Sequence, residues 1–285
     1  MEKTERFLLE MHMHTKETSS CGEVPAAEGV RLYKEAGYQG VMITDHYHRQ
    51  YFDSLGDMDM SRKIDAYLTG YRAAKAEGDR IGLSVLLGIE FRNVESENDF
   101  LIVGMTEEFL YKYPETYLMS IGDAIDLFHA HGMLVIQAHP VRVRIMDWKD
   151  GKRFNSYPNV EMLKMMKKDP PMPVLPATTW YKYRDAGREE QLPHPYVMRV
   201  CELTECENKL DGIEVYNGNF HWAQEPEKIE GILRRHPEYI QISASDFHEV
   251  GHLAAGGVVL DRPVKTSAEL KDALLDKGIV ELIRR

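Results

Sequence analysis

Short apolar runs alternate with amphipathic stretches along most of the chain. Residues 7–11, Phe-Leu-Leu-Glu-Met, read as a first strand that runs directly into His12. Pro25 then opens a helix whose apolar positions Ala26, Val30 and Tyr33 follow helical spacing, and Gly37 is placed to end it. The short apolar run 40–44 leads into Asp45 and His46. A helix is predicted near 62–77, where Ile64, Tyr67, Leu68 and Tyr71 form one stripe, followed by a strand over 83–89. Ser120, with Asp123 three residues on, marks the start of another helix that stops near Gly132, before a buried strand over 133–138. Further strands are predicted at 212–216, 239–244 and 256–260. Such alternation points to an α/β barrel or a doubly wound sheet.

One stretch breaks the rhythm. From Ile145 to about Leu210 the chain carries Pro158, Pro170, Pro171, Pro173, Pro176, Pro193 and Pro195 among several aromatics. Loops of this length are usually functional, so 145–210 is expected to be an insertion over an active-site mouth within a single catalytic domain spanning 1–285; the alternative is a surface excursion away from any chemistry.

Composition narrows the class. With 43% hydrophobic and 28% charged residues in 285, the chain has the balance of a soluble globular protein and enough length for a large core. The formal net charge of −11 argues against a general nucleic-acid grip, although a small anionic substrate in one cationic cleft remains compatible with it. Cys21, Cys201 and Cys206 form no C-x-x-C pair and no disulfide framework. The apolar run before His12 is too short for a signal peptide or a membrane span, so a cytoplasmic, membrane-free setting is expected.

Potential metal ligands follow the strands. His12 and His14 end the first, Asp45 and His46 the second, Glu90 and His139 two more, and Asp246 and His248 a later one. Residues two apart in a strand point the same way, so each His-x-His or Asp-x-His pair can aim two ligands into one cleft. In parallel barrels the C-terminal strand ends carry the chemistry. A metal-dependent enzyme is the reading these positions favour.

His12-Met13-His14-Thr15, Thr44-Asp45-His46, Gly88-Ile89-Glu90, Ala138-His139-Pro140 and Ser245-Asp246-Phe247-His248 occur in the order seen in the polymerase and histidinol phosphatase (PHP) superfamily, which the chain resembles over nearly its whole length. The resemblance implies a distorted (β/α)7 barrel, up to three divalent metals (Zn, Mn or Fe) and attack of a metal-activated hydroxide on a small phosphate ester. It implies His12, His14, Glu90 and Asp246 as ligands of one metal, with Glu90 bridging to a second that His139 helps to hold, and His46 and His248 as ligands of a third. The mixed nitrogen and oxygen set suits those metals better than Mg²⁺ or Ca²⁺. Hydrolysis of a non-phosphate bond, or a non-catalytic metal-binding regulatory domain, are the competing readings.

Two places depart from the family pattern. Relatives often have a carboxylate or histidine soon after the first pair, whereas this turn reads Ser19-Ser20-Cys21-Gly22; Glu17 is the expected oxygen donor and Cys21 a structural thiol. Relatives also carry a histidine where this chain has Leu101, and Asp99, on the same strand face, is the candidate substitute, with turn capping as its alternative role. Arg142, in His-Pro-Val-Arg, resembles a phosphate-contacting arginine of some relatives, with Arg144 a weaker candidate. His252 is expected to donate a proton to the leaving group or hold a phosphate oxygen, Glu214 and Asn217 to orient substrate, and Asp45 to fix a ligand imidazole. His129 and His131, at a helix C-terminus, are left outside the site, and Trp180, Tyr181 and Tyr183 either stack on a ring or simply pack.

Overall fold

The computed structural model describes residues 6–94, 96–149, 152–154, 159–167 and 171–285. In chain order, strand β1 (Phe7–Met13) precedes helix α1 (Ala26–Glu35), and β2 (Gly40–Ile43) and β3 (His46–Tyr47) precede α2 (Arg49–Ser54), α3 (Met60–Tyr67) and α4 (Thr69–Ile81). The stripe predicted over 62–77 is therefore two helices, which meet at Leu68. The strand predicted over 83–89 likewise divides at Gly88 into β4 (Ser84–Leu87) and β5 (Ile89–Phe91). A Cβ at Gly88 would stand 2.9 Å from the Met42 sulfur, so any larger residue here must displace that side chain. Next come β6 (Phe100–Val103), α5 (Glu107–Lys112), α6 (Ile121–Ala130) and β7 (Leu134–Gln137), with the Ser120 side chain capping α6 as predicted by accepting from Asp123 N. The proline-rich region contains β8 (Arg142–Lys149), β9 (Lys152–Phe154), α7 (Asn159–Met166), β10 (Val174–Pro176), α8 (Ala177–Asp185) and β11 (Tyr196–Arg199). The chain continues through β12 (Gly212–Asn217), β13 (Ala223–Gln224), α9 (Pro226–Arg235), β14 (Ile240–Ala244), β15 (Gly256–Leu260), α10 (Ser267–Leu275) and β16 (Ile279–Arg284).

These elements divide into two compact units. The first comprises Met1–Ala138, Thr204–Gly218 and Glu238–Arg285, and the second His139–Leu203 and Asn219–Pro237. The first unit is a mixed α/β structure with two sheets, ordered β16-β15-β1-β2-β4 and β14-β12-β7-β6-β5-β3. Pairing is parallel for β1–β2, β2–β4, β3–β5, β7–β12 and β12–β14, whereas β1–β15, β15–β16, β5–β6 and β6–β7 are antiparallel. The alternating parallel units read from the sequence thus describe only part of the topology.

One core cluster draws Leu9, Met11, Met42, Leu86, Leu101, Ile136, Ile242 and Val258 from strands of both sheets, and Leu270, Ala273 and Leu274 of α10 join it. A second cluster packs Ala26, Val30 and Tyr33 of α1 and Ala74 of α4 against Val41, Ile43 and Val85. The odd-numbered residues of β1 supply these cores. Its even-numbered Glu10 and His12, with His14 just beyond, are fully buried polar groups. That alternation is what a strand with one apolar and one functional face produces.

In the second unit β8 is central, antiparallel to β11, β13 and β9, while β10 runs parallel to β11. Val143 and Ile145 face one apolar cluster with Met162 and Val197; Met146 faces another with Ala177, Tyr196 and Met198. The residues expected to form an insertion of loops therefore carry a sheet with two covered faces. Pro176 serves as the N-cap of α8, and the Pro173 carbonyl accepts from Val197 N at 2.9 Å. Pro158 and Pro170 lie outside the described residues.

Candidate metal centre

Four donor groups of the first unit converge. His12 Nε2 lies 3.1 Å from His14 Nε2, 3.2 Å from Glu90 Oε1 and 3.4 Å from Asp246 Oδ1. His14 Nε2 lies 3.4 Å from both Glu90 Oε2 and Asp246 Oδ1. Donors around one ion held at about 2.0–2.2 Å stand roughly 3.0–3.5 Å apart. The spacing of His12, His14 and Glu90 therefore fits a divalent cation, and Asp246 Oδ1 adjoins both imidazoles.

Backbone pairing explains how distant segments meet here. Phe247 N donates to the His12 carbonyl at 3.0 Å and His14 N to the Phe247 carbonyl at 2.9 Å, so the Asp-x-His segment lies beside the His-x-His segment. Asp246 turns its carboxylate inward from a left-handed conformation, φ 51°, which Asp tolerates better than most residues. In the parallel β3–β5 pair His46 is in register with Glu90, bringing the third histidine to the same carboxylate.

Buried polar side chains fix the two leading imidazoles. His12 Nδ1 is 3.2 Å from Glu214 Oε1, whose other oxygen accepts from Asn217 Nδ2 at 2.9 Å. His14 Nδ1 is 3.2 Å from Ser19 Oγ, which donates to Asp45 Oδ1 at 2.7 Å. Asp45 also accepts from Thr15 N and Thr15 Oγ1, both at 2.7 Å. Asp45 thus steadies a ligand imidazole through one intervening hydroxyl rather than directly, and Glu214 orients His12. Such partners hold the tautomer that presents Nε2 to an ion. Ser19 was not singled out in the sequence, where it is one of two adjacent serines.

Beneath the cluster, Glu10 Oε1 accepts from His12 N and Ser245 N at 2.9 and 3.0 Å, and Oε2 accepts from Tyr33 OH at 2.9 Å. Burial pushes its carboxyl up to about 7 from an ordinary 4.5, against the lowering effect of these bonds. The folded chain therefore keeps a proton that the unfolded chain releases. The associated stability is complete below pH 4.5 and is lost as pH rises through 7, a change of about 3 kcal/mol. In chelator-treated protein, Glu10→Gln keeps an acceptor for both amides and removes the ionisation. Its melting temperature is expected to exceed the parent's at pH 8 and to match it near pH 4.5; an equal gap at both pH values would exclude Glu10 as the titrating group.

Beside the first cluster lies a second. His46 Nδ1 is 2.6 Å from Glu90 Oε2, and the His14 ring stacks on that of His248 with centroids 4.2 Å apart. One donor atom from each of His14, Cys21, His46 and His248 lies within 4.8 Å of the others. Glu17 is not among them. Both of its oxygens accept from Ala26 N, at 2.9 and 3.1 Å, because the first amides of α1 have no partner within the helix. Cys21, exposed in the turn, stands where Glu17 was expected.

Asp99 lies within the same 4.8 Å limit of His46 and Glu90, yet it is also gripped by Arg92, with Nε–Oδ1 and Nη2–Oδ2 distances of 2.6 and 2.7 Å. Arg92 was missed in the sequence reading; its position two residues after Glu90 is the signal for it. Leu101 is paired with Glu90 across β5–β6 and lies in the core.

The proton distribution reflects this crowding. Burial lowers the His12 pKa, but Asp246, Glu90 and Glu214 outweigh it and hold it well above the ordinary value. Burial and the neighbouring His248 and His46 drive His14 well below its own. Burial raises the Cys21 thiol, whereas hydrogen bonds with His248 and His46 bring it down to about 6.

The remaining candidates make other contacts. His252 is buried and its Nδ1 accepts from His248 N at 3.3 Å, bracing the turn that carries His248. His139, Arg142 and Arg144 belong to the second unit. There His139 Nδ1 is 3.9 Å from the Cys201 sulfur, and the Arg142 and Arg144 guanidinium carbons lie 4.4 and 3.6 Å from the Trp222 ring centre. His129 pairs with Asp211 at 2.9 Å, and Arg184 lies over both Trp180 and Tyr181 at 4.9 Å.

No protein-family model matches the chain, and no curated protein matches it. Among solved structures, a two-domain protein of Bacteroides vulgatus ATCC 8482 containing a predicted PHP-like metal-dependent phosphoesterase matches with a TM-score of 0.51 at 15% identity, over 96% of this chain and 63% of that one. The fold is PHP-like. The chain spans less than two thirds of that two-domain protein. A proposed metal-dependent phosphoesterase of Bifidobacterium adolescentis ATCC 15703 matches at 16% identity over 85% of this chain and 88% of its own, with a TM-score of 0.39. An amidohydrolase of Chromobacterium violaceum with bound sulfate and no metal matches at 13% identity over 97% of each chain, with a TM-score of 0.41. In this PHP-like fold His12 lies within β1 and His14 just after it, His46 within β3, Glu90 within β5, and Asp246 and His248 after β14.

Proposed function

We propose that the first unit is a divalent-metal hydrolase of small phosphate esters, built on the distorted (β/α)7 barrel that the family resemblance implies. The approach of Glu90 and Asp246 to His12 and His14, with donor distances of 3.1–3.4 Å about the two imidazoles, carries the reading. Zn²⁺, Mn²⁺ or Fe²⁺ held by these residues, and by His46 and His248 beside them, would supply Lewis acidity and a water acidified to a pKa of about 7. Glu90 faces both clusters and serves them jointly, while Glu214 and the Ser19–Asp45 relay hold the imidazoles in position.

The phosphate preference rests on charge near the site. In a chain of net charge −11, Lys16 and Arg92 line a cavity of about 360 Å³ together with Cys21, His46, His48 and Tyr51. An ammonium, together with a guanidinium that also pairs with Asp99, favours an anionic ester over a neutral amide. The cavity is the size of a small-molecule site. Among the described residues no helix is long and apolar enough to cross a membrane, and we place the enzyme in the cytoplasm.

Metal analysis of gently purified protein, followed by parallel panels of phosphoesters and of amides and lactones with each metal restored, tests the reading. Retained metal with turnover confined to phosphoesters is the expected result. Full metal loading with turnover only of amides or lactones would replace the phosphoesterase reading by the other hydrolase reading, and metal binding without any turnover would favour a regulatory role.

A further inference from the structure

The cysteine turn after β1 is built against two histidines. Gly22 N donates to the Ser19 carbonyl at 2.9 Å, closing the turn, and a Cβ at Gly22 would come within 2.8 Å of the Thr15 carbonyl, so the turn folds directly onto the strand extension. Ser19 Oγ is bonded to Asp45 and accepts from His46 N at 3.1 Å. On the other side of Cys21, Glu23 N donates to the His248 carbonyl at 2.8 Å. The residues flanking Cys21 are thus tied by hydrogen bonds to both His46 and His248.

We propose that Cys21 is a metal ligand, which with His46 and His248 forms a thiolate N₂S position beside the His12, His14, Glu90 and Asp246 centre. This rests on the metal-hydrolase reading above and deepens it. The three donor atoms already lie within 4.8 Å of one another. With Zn–S near 2.3 Å and Zn–N near 2.0–2.1 Å, adjacent donors settle roughly 3.5 Å apart, so the ligands close by about 1 Å around an ion. Three protein ligands leave a coordination position open to the cavity that Cys21 and His46 line. A thiolate selects softer, borderline ions, zinc or cobalt, over manganese or magnesium more strongly than the N₂O₂ centre does. The two positions therefore differ in metal preference within one site.

Cobalt titration of the chelator-treated full-length protein tests this directly. The parent is expected to develop a near-ultraviolet sulfur-to-cobalt charge-transfer band. Cys21→Ser is expected to lose the band and one equivalent of cobalt, and to retain a manganese-binding centre. Cys201→Ser and Cys206→Ser should keep both band and stoichiometry. Cobalt bound by the parent without a thiolate band, or a band that survives Cys21→Ser and disappears in Cys201→Ser or Cys206→Ser, overturns the Cys21 assignment and leaves the hydrolase reading intact. Failure of the parent to bind any metal overturns both. Cys21 is exposed, and an unchanged thermal melt of metal-free Cys21→Ser would confirm that the loss is one of ligation and not of folding.

Discussion

Glu90→Gln is expected to lower kcat/KM by about 10²–10³ and to reduce the metal content of the protein, with little change in the fold. Glu90 is almost completely buried, and its two oxygens face His12 at 3.2 Å, His14 at 3.4 Å and His46 at 2.6 Å. Asp246 Oδ1 likewise faces His12 and His14 at 3.4 Å, with His248 at 3.3 Å as its third imidazole. Glutamine keeps the volume and one oxygen but loses the charge that offsets two cations and turns an amide N–H₂ toward one of the histidines. The loss therefore falls on ion binding. Elemental analysis alongside steady-state kinetics decides the point: wild-type metal content with full turnover would remove Glu90 from the centre. An inactive variant with unaltered metal content would give Glu90 a role in turnover but not in retention.

Phe247→Ala is expected to cost about 3–5 kcal/mol of stability and to weaken metal retention at the same time. The ring is fully buried, packs edge-on to Tyr33 at 5.3 Å, and belongs to the core formed with α1 and α4. Its backbone makes both hydrogen bonds that hold this segment against His12 and His14. Truncation leaves a void directly under Asp246 and His248, so the ligands lose the packing that sets their positions. Denaturant unfolding of metal-free protein measures the first effect, and competition with a chelator measures the second. A variant destabilised as expected but with parental metal affinity would show that the two backbone bonds alone position the ligands.

The sequence announces the donor types well because they stand in or immediately after apolar runs, where strand ends can bring them together. It does not contain the pairing that joins β1 to the segment around Phe247, which depends on a backbone ladder between opposite ends of the chain. The choice between Glu17 and Cys21 was equally inaccessible. Both lie within a few residues of His14, and only the position of Ala26 N, with its unpaired helix-terminal amide, draws Glu17 away. Arg92 escaped notice because an arginine directly after a strand end has many ordinary surface roles, and its grip on Asp99 is visible only when β5 and β6 are laid side by side. In the second unit the prolines obscured strands that two-residue alternation on β8 does encode, at Val143 and Ile145 against Met146.

The ladder between Met13 and Phe247 also sets an order of events in synthesis. A ribosome-bound chain displays His12, His14, His46 and Glu90 long before Asp246 and His248 emerge, so during translation the nascent protein carries an open, incomplete chelate. On the proposed metal site, the complete donor set can form only once the segment around Phe247 has emerged and paired beside His12 and His14.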